Sequence, residues 1–390
     1  MEESHCKLLK PIFSKEKMDD NLKKNKKIRN HGIDFIRIIA MYGIVIHHIM
    51  HIRKIFFKYQ KFKELKLLHI FLFWHNNGFA FISGFIGYKR HKYSNLFYLW
   101  IWVFFYSVII YFYYLKYKPQ LARRDKLYYN LFPIIFNRYW FFTSYFGMYL
   151  FLPIINKGIV YLNKPELKIC FISLIIIFVF WHDNMNLRND IFNTNKGFSV
   201  LWLMIFYITG AYFGKNKIKL FGTIKFYFCF INFLIYVVTS IVYYIAYNYN
   251  MKSFTEEIKL KIIIKLKQLF TENYDSNLKV IQSISIILFL LQINYNRYFG
   301  KIISFIGNLT FGVYIIHCNS FIFNDILVNL FNNDQNNLSI FSVYRLFMSK
   351  GLLIFIICSI IDYLRYLLFN LLKIRKLCII IDKFLFEIIK

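Results

Sequence analysis

The chain has 390 residues, of which 58% are hydrophobic, 22% aromatic and 18% charged. A soluble domain carries roughly a quarter of its residues as charge, spread over a hydrated surface. Here the charges sit in short clusters between long apolar runs, which excludes a soluble enzyme with a single core, and the runs are too continuously apolar for the alternating strands of a barrel. The net charge of +30 does not point to nucleic acid. Lysine, isoleucine, asparagine, phenylalanine and tyrosine are abundant together, as codon bias in an AT-rich genome produces, and many lysines fall in loops, where they orient helices against a bilayer. No soluble segment carries a basic stripe with interleaved aromatics, so no nucleic-acid partner is expected. Cys6, Cys170, Cys229, Cys318, Cys358 and Cys378 are scattered, with no C-x-x-C pair, and indicate neither a disulfide framework nor a zinc site.

In chain order, residues 1–32 are polar and lysine-rich, without the apolar core of a cleavable signal peptide. Apolar runs fit to span a bilayer follow at 33–52, 65–88, 96–115, 139–156, 168–182, 198–214, 221–247, 278–294, 300–323 and 345–372, judged against about 20 residues per helix. The expected fold class is therefore all-α, a polytopic integral membrane protein of about ten transmembrane helices. A cytoplasmic basic tail (1–32) would precede a membrane domain (33–376), and a C-terminal amphipathic tail (377–390) would lie at the interface. Ten spans put both termini on one side. The positive-inside rule makes that side cytoplasmic in a multi-pass protein of the cell membrane, because Lys23, Lys24, Lys26, Lys27 and Arg29, then Lys89, Arg90, His91 and Lys92, then Lys373, Arg375 and Lys376 all fall there. Loops 183–197 and 324–344, poorer in lysine, are placed outside; loops 53–66 and 116–138 are basic and disagree. The long stretch 248–277, apolar but punctuated by lysines, reads as an amphipathic segment on the outer membrane surface.

The first run carries the chemistry. Asp34, Arg37 and His48 would lie at membrane depth, where such side chains are costly and functional by default. Asp34 and Arg37 are three apart and can pair on one helix face. Arg37 and His48 are eleven apart, close to three turns, which puts them on one face about 16 Å apart along the axis. Taken alone, these residues could equally be interfacial charges and a histidine packed between helices. His47 and His51 are four apart, as in a helical zinc pair, but no nearby Glu or Asp completes a site, so hydrated imidazoles and no metal are expected.

Four stretches resemble the acyltransferase-3 family of integral-membrane acyltransferases. Ile33, Asp34, Arg37, Ala40 and His48 are similar to its opening signature, an I-D-x-x-R-x-x-A pattern with a histidine eleven residues after the arginine. Phe79, Phe81, Ser83, Gly84 and Phe85 resemble its second-helix stretch, and Trp140, Tyr149, Pro153 and Asn156 its W-F-L…Y-L…P block. Gly307, Thr310, Gly312, Tyr314 and His317 resemble its late glycine-rich block ending in histidine. The similarity runs from about residue 30 to beyond 360.

The resemblance implies transfer of an acyl group, usually acetyl, from acyl-CoA to a hydroxyl of a cell-surface carbohydrate or lipid-linked glycan. It implies that His48 is catalytic and Arg37 essential, with acetyl-CoA as co-substrate. A neutral imidazole can take the proton of a sugar hydroxyl as it attacks the thioester; a covalent acyl-imidazole is an alternative. Arg37, with Asp34, Lys89 and Arg90, is expected on the CoA side, although Lys89-Arg90-His91-Lys92 is spaced differently from the family's R-x-x-R pair. Several relatives carry a glutamate where this chain has Tyr145. His317, His75, Trp140 and Tyr145 are the expected substrate contacts, the alternatives being an interhelical hydrogen bond for His317 and an aromatic belt for Trp140. A rival reading is a transporter or flippase of lipid-linked glycans; against it, no inverted repeat and no paired broken helices are visible.

Overall fold

The computed structural model describes residues 30–51, 65–89, 91–122, 127–181, 190–216, 222–248, 273–330 and 339–388. The described residues form helices and no strand. α1 (His31–Met50) is followed by α2 (Leu65–Leu72), α3 (His75–Gly87), α4 (Tyr93–Tyr117), α5 (Trp140–Tyr161) and α6 (Lys164–Ile175), which continues as a π-helical turn to Trp181. Then come α7 (Val200–Lys215), α8 (Gly222–Asn248), α9 (Asn277–Leu291), α10 (Arg297–His317), α11 (Ile340–Leu371) and α12 (Ile374–Ile388).

Five of these, α1, α4, α8, α10 and α11, are long and apolar enough to cross a membrane, and α7 and α9 are shorter apolar helices. Ile224 and Phe226 of α8 and Leu352, Ile356, Ile360 and Leu364 of α11 face outwards and are exposed. An outer surface so continuously apolar suits lipid rather than water. All-α architecture thus agrees with the sequence reading. Of the ten expected runs, these five meet the length and apolarity of a span among the described residues; the others form α5, of 22 residues, and shorter helices.

α1 lies at the centre, packed by α2, α3, α9, α10 and α11. Ile36, Val45, Ile46 and Ile49 are fully buried there. Glycines set the closest approaches. A Cβ on Gly84 of α3 would lie 1.8 Å from the Tyr207 carbonyl oxygen of α7, and one on Gly210 would lie 1.9 Å from the Phe81 carbonyl oxygen. The two backbones therefore touch, and Gly210 with Gly214 provides the small-xxx-small stripe that lets membrane helices do so.

The run expected to be one helix over 65–88 is interrupted at Phe73 and Trp74, between α2 and α3. A break at membrane depth frees carbonyls that must find donors. α9 supplies them: the Lys279 ammonium and the Gln282 amide both donate to the Ile70 carbonyl, at 3.0 and 3.1 Å. The Tyr236 hydroxyl donates to the Phe71 carbonyl at 2.6 Å. Lys279 is 2% exposed, so this buried cation is spent on closing the break.

The stretch 248–277 is described only in part. Most of that stretch lies outside the described residues, but its end is not on the surface. Tyr274, Asp275 and Ser276 are buried; the Tyr274 ring stacks on Phe73 at 4.2 Å, and Asp275 accepts from the Thr194 hydroxyl at 2.7 Å. These last residues lead into the buried N-terminus of α9; the lysine-punctuated part of the stretch expected on the membrane surface lies outside the described residues. At the C-terminus, the expected amphipathic helix starts at Ile374 and docks on α4, with Asp382 accepting from the Ser94 backbone N–H at 3.0 Å.

Candidate active site

Arg37, Met41, Ile44 and His48 recur at the spacing of one helix face, and that face of α1 lines a cavity of about 270 Å³. His75, Asn76 and Ser83 of α3, Trp140 and Tyr145 of α5, Tyr274, and Asn308, Thr310 and Tyr314 of α10 line the same cavity. The break before α3 is what presents His75 and Asn76, since it starts a new helix beside α1.

At one end Arg37 pairs with Asp34. The Arg37 Nη1 donates to Asp34 Oδ1 at 3.0 Å, and the Ser304 hydroxyl donates to Asp34 Oδ2 at 2.8 Å. Asp34 is 2% exposed and its arginine 28%. The carboxylate is thus behind the wall and the guanidinium in it. Gly307 makes this possible, because a Cβ there would lie 2.9 Å from the Asp34 Cβ.

At the other end His48 meets His317, with Nδ1 of the first 3.1 Å from Nε2 of the second. His317 Nδ1 lies 2.5 Å from the Val313 carbonyl oxygen. A carbonyl can only accept, so His317 carries its proton on Nδ1 and presents Nε2 as a lone pair. The neutral pair is then hydrogen-bonded only if His48 Nδ1 is the donor. That leaves His48 Nε2 as the basic nitrogen of a side chain that lines the cavity. The Cys318 thiol lies 3.4 Å from both His48 Nδ1 and His317 Nε2, closing the side away from the cavity.

Of the sequence-predicted residues, Arg37, His48, His75, Trp140 and Tyr145 are brought together around one space. His317 is not in the lining; it stands behind His48. Asp34 stands behind Arg37 in the same way. Lys89 is not brought to this cavity but lines a separate surface depression with His91 and Lys157, and Arg90 lies outside the described residues. Trp140 contacts Phe198 at 4.5 Å between ring centres within the wall, rather than standing only in an outer belt.

Sequence reasoning missed Tyr274, Asn308 and His69. Asn308 falls beside a readable stripe, since Gly307, Thr310, Tyr314 and His317 recur every three or four residues. Tyr274 gave no periodic signal. His69 comes from a different helix, yet its Nε2 lies 2.9 Å from His47 Nδ1. Two groups among the described residues hold possible metal ligands within 4.8 Å of one another: His47, His51 and His69, and His48, His317 and Cys318.

Comparison with curated proteins and with solved structures gives no match. Comparison with protein families does: a family model described as an acyltransferase domain matches residues 30–363. That range holds Arg37, His48, the wall of the cavity and the Val313–His317 segment behind it. Covering most of the chain, the match means that the protein belongs to the acyltransferase-3 family.

Proposed function

We propose that this membrane acyltransferase moves an acyl group, acetyl in the first instance, from acyl-CoA to a hydroxyl of a cell-surface polysaccharide or lipid-linked glycan. The observation that supports this reading is that one cavity joins the Arg37 guanidinium to the His48 imidazole along a single helix face. CoA is elongated, with phosphates at one end and the thioester at the other, and a cation and a base at opposite ends match it. Arginine grips phosphate through two parallel hydrogen bonds. At the other end His48 Nε2 takes the acceptor hydroxyl proton as the oxygen attacks the thioester carbonyl carbon. The tetrahedral intermediate collapses, the C–S bond breaks, and the departing thiolate recovers the proton from the imidazolium. His75, Trp140 and Tyr145 contact the acceptor or the acyl group from the facing helices.

The chain would sit in the cell membrane with ten crossings and a cytoplasmic N-terminus, so that donor and acceptor reach the cavity from opposite sides. The test is reconstitution with labelled acetyl-CoA and a glycan acceptor, following free CoA thiol and label in the glycan. His48→Ala should lower transfer by about 10²–10⁴-fold, as loss of a general base does, while acyl-CoA still binds. A residual above about a tenth of the activity would remove His48 from the role. Wild-type protein that neither hydrolyses nor transfers the acetyl group would favour glycan transport.

A further inference from the structure

We infer that His47, His51 and His69 form a binding site for a divalent transition-metal ion, zinc being the first candidate. The assignment does not rest on the proposed transfer reaction. One ring nitrogen of each histidine lies within 4.8 Å of the other two. His47 Nδ1 and His69 Nε2 are already 2.9 Å apart, so a proton now joins two nitrogens that a metal could bridge. Imidazoles bound tetrahedrally to zinc at 2.0–2.1 Å place their nitrogens about 3.3 Å apart, which small side-chain rotations reach from here.

The orientation of the rings supports the site. His51 lies 2.8 Å from the His47 carbonyl oxygen through Nδ1, so it donates there and keeps Nε2 as its lone-pair nitrogen. Metal-bound imidazoles are usually anchored by this kind of backbone hydrogen bond. Two ligands stand at i and i+4, His47 in the last turn of α1 and His51 just past its end, and the third comes from α2. His69 is 5% exposed and His51 is exposed, giving a buried anchor and a route for the ion.

A fourth imidazole stands beside the group. His75 is 1% exposed, its ring lies 5.4 Å from that of His47, and its Nδ1 is 3.2 Å from the Asn76 amide oxygen. Its Nε2 has no hydrogen-bond partner among the described residues. A buried nitrogen without a partner costs free energy, and an ion or its bound water at this site would supply one. Three protein nitrogens also leave a fourth coordination position, the open kind that takes water or a hydroxyl. His47 and His75 both line the cavity, so the ion would stand at its edge.

The experiment is titration of the full-length, chelator-stripped chain in detergent with Co²⁺ as a spectroscopic probe, followed by displacement with Zn²⁺. One Co²⁺ per chain is expected, with ligand-field bands of a four-coordinate nitrogen site and no thiolate charge-transfer band. His51→Ala and His69→Ala should each weaken binding at least about tenfold, the lower bound even for an outer-shell partner. Because His51 is exposed, His51→Ala answers the question if His69→Ala fails to fold. Cys318→Ala should leave binding unchanged. Absence of stoichiometric binding, binding indifferent to His51→Ala, or loss in Cys318→Ala would each overturn the assignment, the last by moving the ion to the His48–His317–Cys318 group.

Discussion

Asp34–Arg37 on α1 and Asp362–Arg365 on α11 are the same two residue types at the same spacing, and the protein uses them differently. The α11 pair is sealed. Arg365 and Asp362 are 2% and 0% exposed. The guanidinium donates through Nε and Nη2 to both carboxylate oxygens, at 3.0 and 2.8 Å, and its plane lies 3.6 Å over the Trp102 ring. Asp362 also accepts from the Trp102 indole and the Tyr106 hydroxyl, each at 3.0 Å. This pair ties α4 to α11. The α1 pair is sealed on its acidic side only; its arginine is 28% exposed and lines the cavity. An ion pair at membrane depth is a reason to look for function, but whether the cation reaches a cavity decides between a latch and a site.

Removing each arginine separates the two roles. Arg365→Ala strands a buried carboxylate, and breaking such a pair costs about 3–5 kcal/mol. The expected outcome is a large fall in folded yield and thermal midpoint in detergent. Replacing both partners, with Asp362→Leu and Arg365→Met, should recover much of that loss, since apolar substitutes of similar volume are often neutral. Arg37→Ala also takes the cation from a buried carboxylate, but Asp34 keeps the Ser304 hydroxyl and the arginine it loses is partly exposed, so the midpoint should fall less than in Arg365→Ala while acyl-CoA binding is abolished. Equal thermal losses in the two arginine variants would mean that Arg37 is also a latch.

A smaller effect is expected one step behind the cavity. In the proposed reaction His317, which stands behind His48, holds the tautomer of that imidazole. His317→Ala should lower transfer by about 10–100-fold, the scale of losing an orienting partner of an imidazole. His317→Gln offers an amide oxygen to His48 Nδ1 and should restore part of the rate. If glutamine and alanine are equally poor while both variants fold, His317 contributes packing only.

The first helix was legible from its sequence because period and chemistry coincide there: Arg37, Met41, Ile44 and His48 form one stripe, and two of the four are polar where lipid would reject them. The same logic marks Gly307, Thr310, Tyr314 and His317 on α10. Asp362 and Arg365 were hidden inside the last apolar run, because two charges in a long helix barely alter its hydropathy. The break at Phe73 and Trp74 was also hidden, since the donors that permit it, Lys279 and Gln282, lie two hundred residues away in the chain. For the same reason His69 could not be joined to His47 and His51. Local periodicity shows which face of a helix is special; it does not show which other helix supplies the partner.

The smallest effect belongs to a third pair, Asp325 and Lys118, at the rim beyond α10 and at the end of α4. Lys118 donates to Asp325 Oδ2, as does the Tyr114 hydroxyl at 2.9 Å. The hydrogen bond from Lys118 holds the Asp325 carboxyl below its ordinary value. A carboxylate depressed on folding contributes stability that is complete above the unfolded value, about 3.9, and is lost as pH falls through the folded value. Lys118 is 39% exposed, so solvent screens the pair and its worth is at most about 1 kcal/mol. The thermal midpoint of Asp325→Asn should therefore sit slightly below wild type at neutral pH and down to about pH 5, and the gap should narrow below about pH 4. High salt should narrow it as well, because exposed charges are screened. A gap that widened on acidification, or one as large as that of Arg365→Ala, would show that exposure does not grade the three pairs as argued.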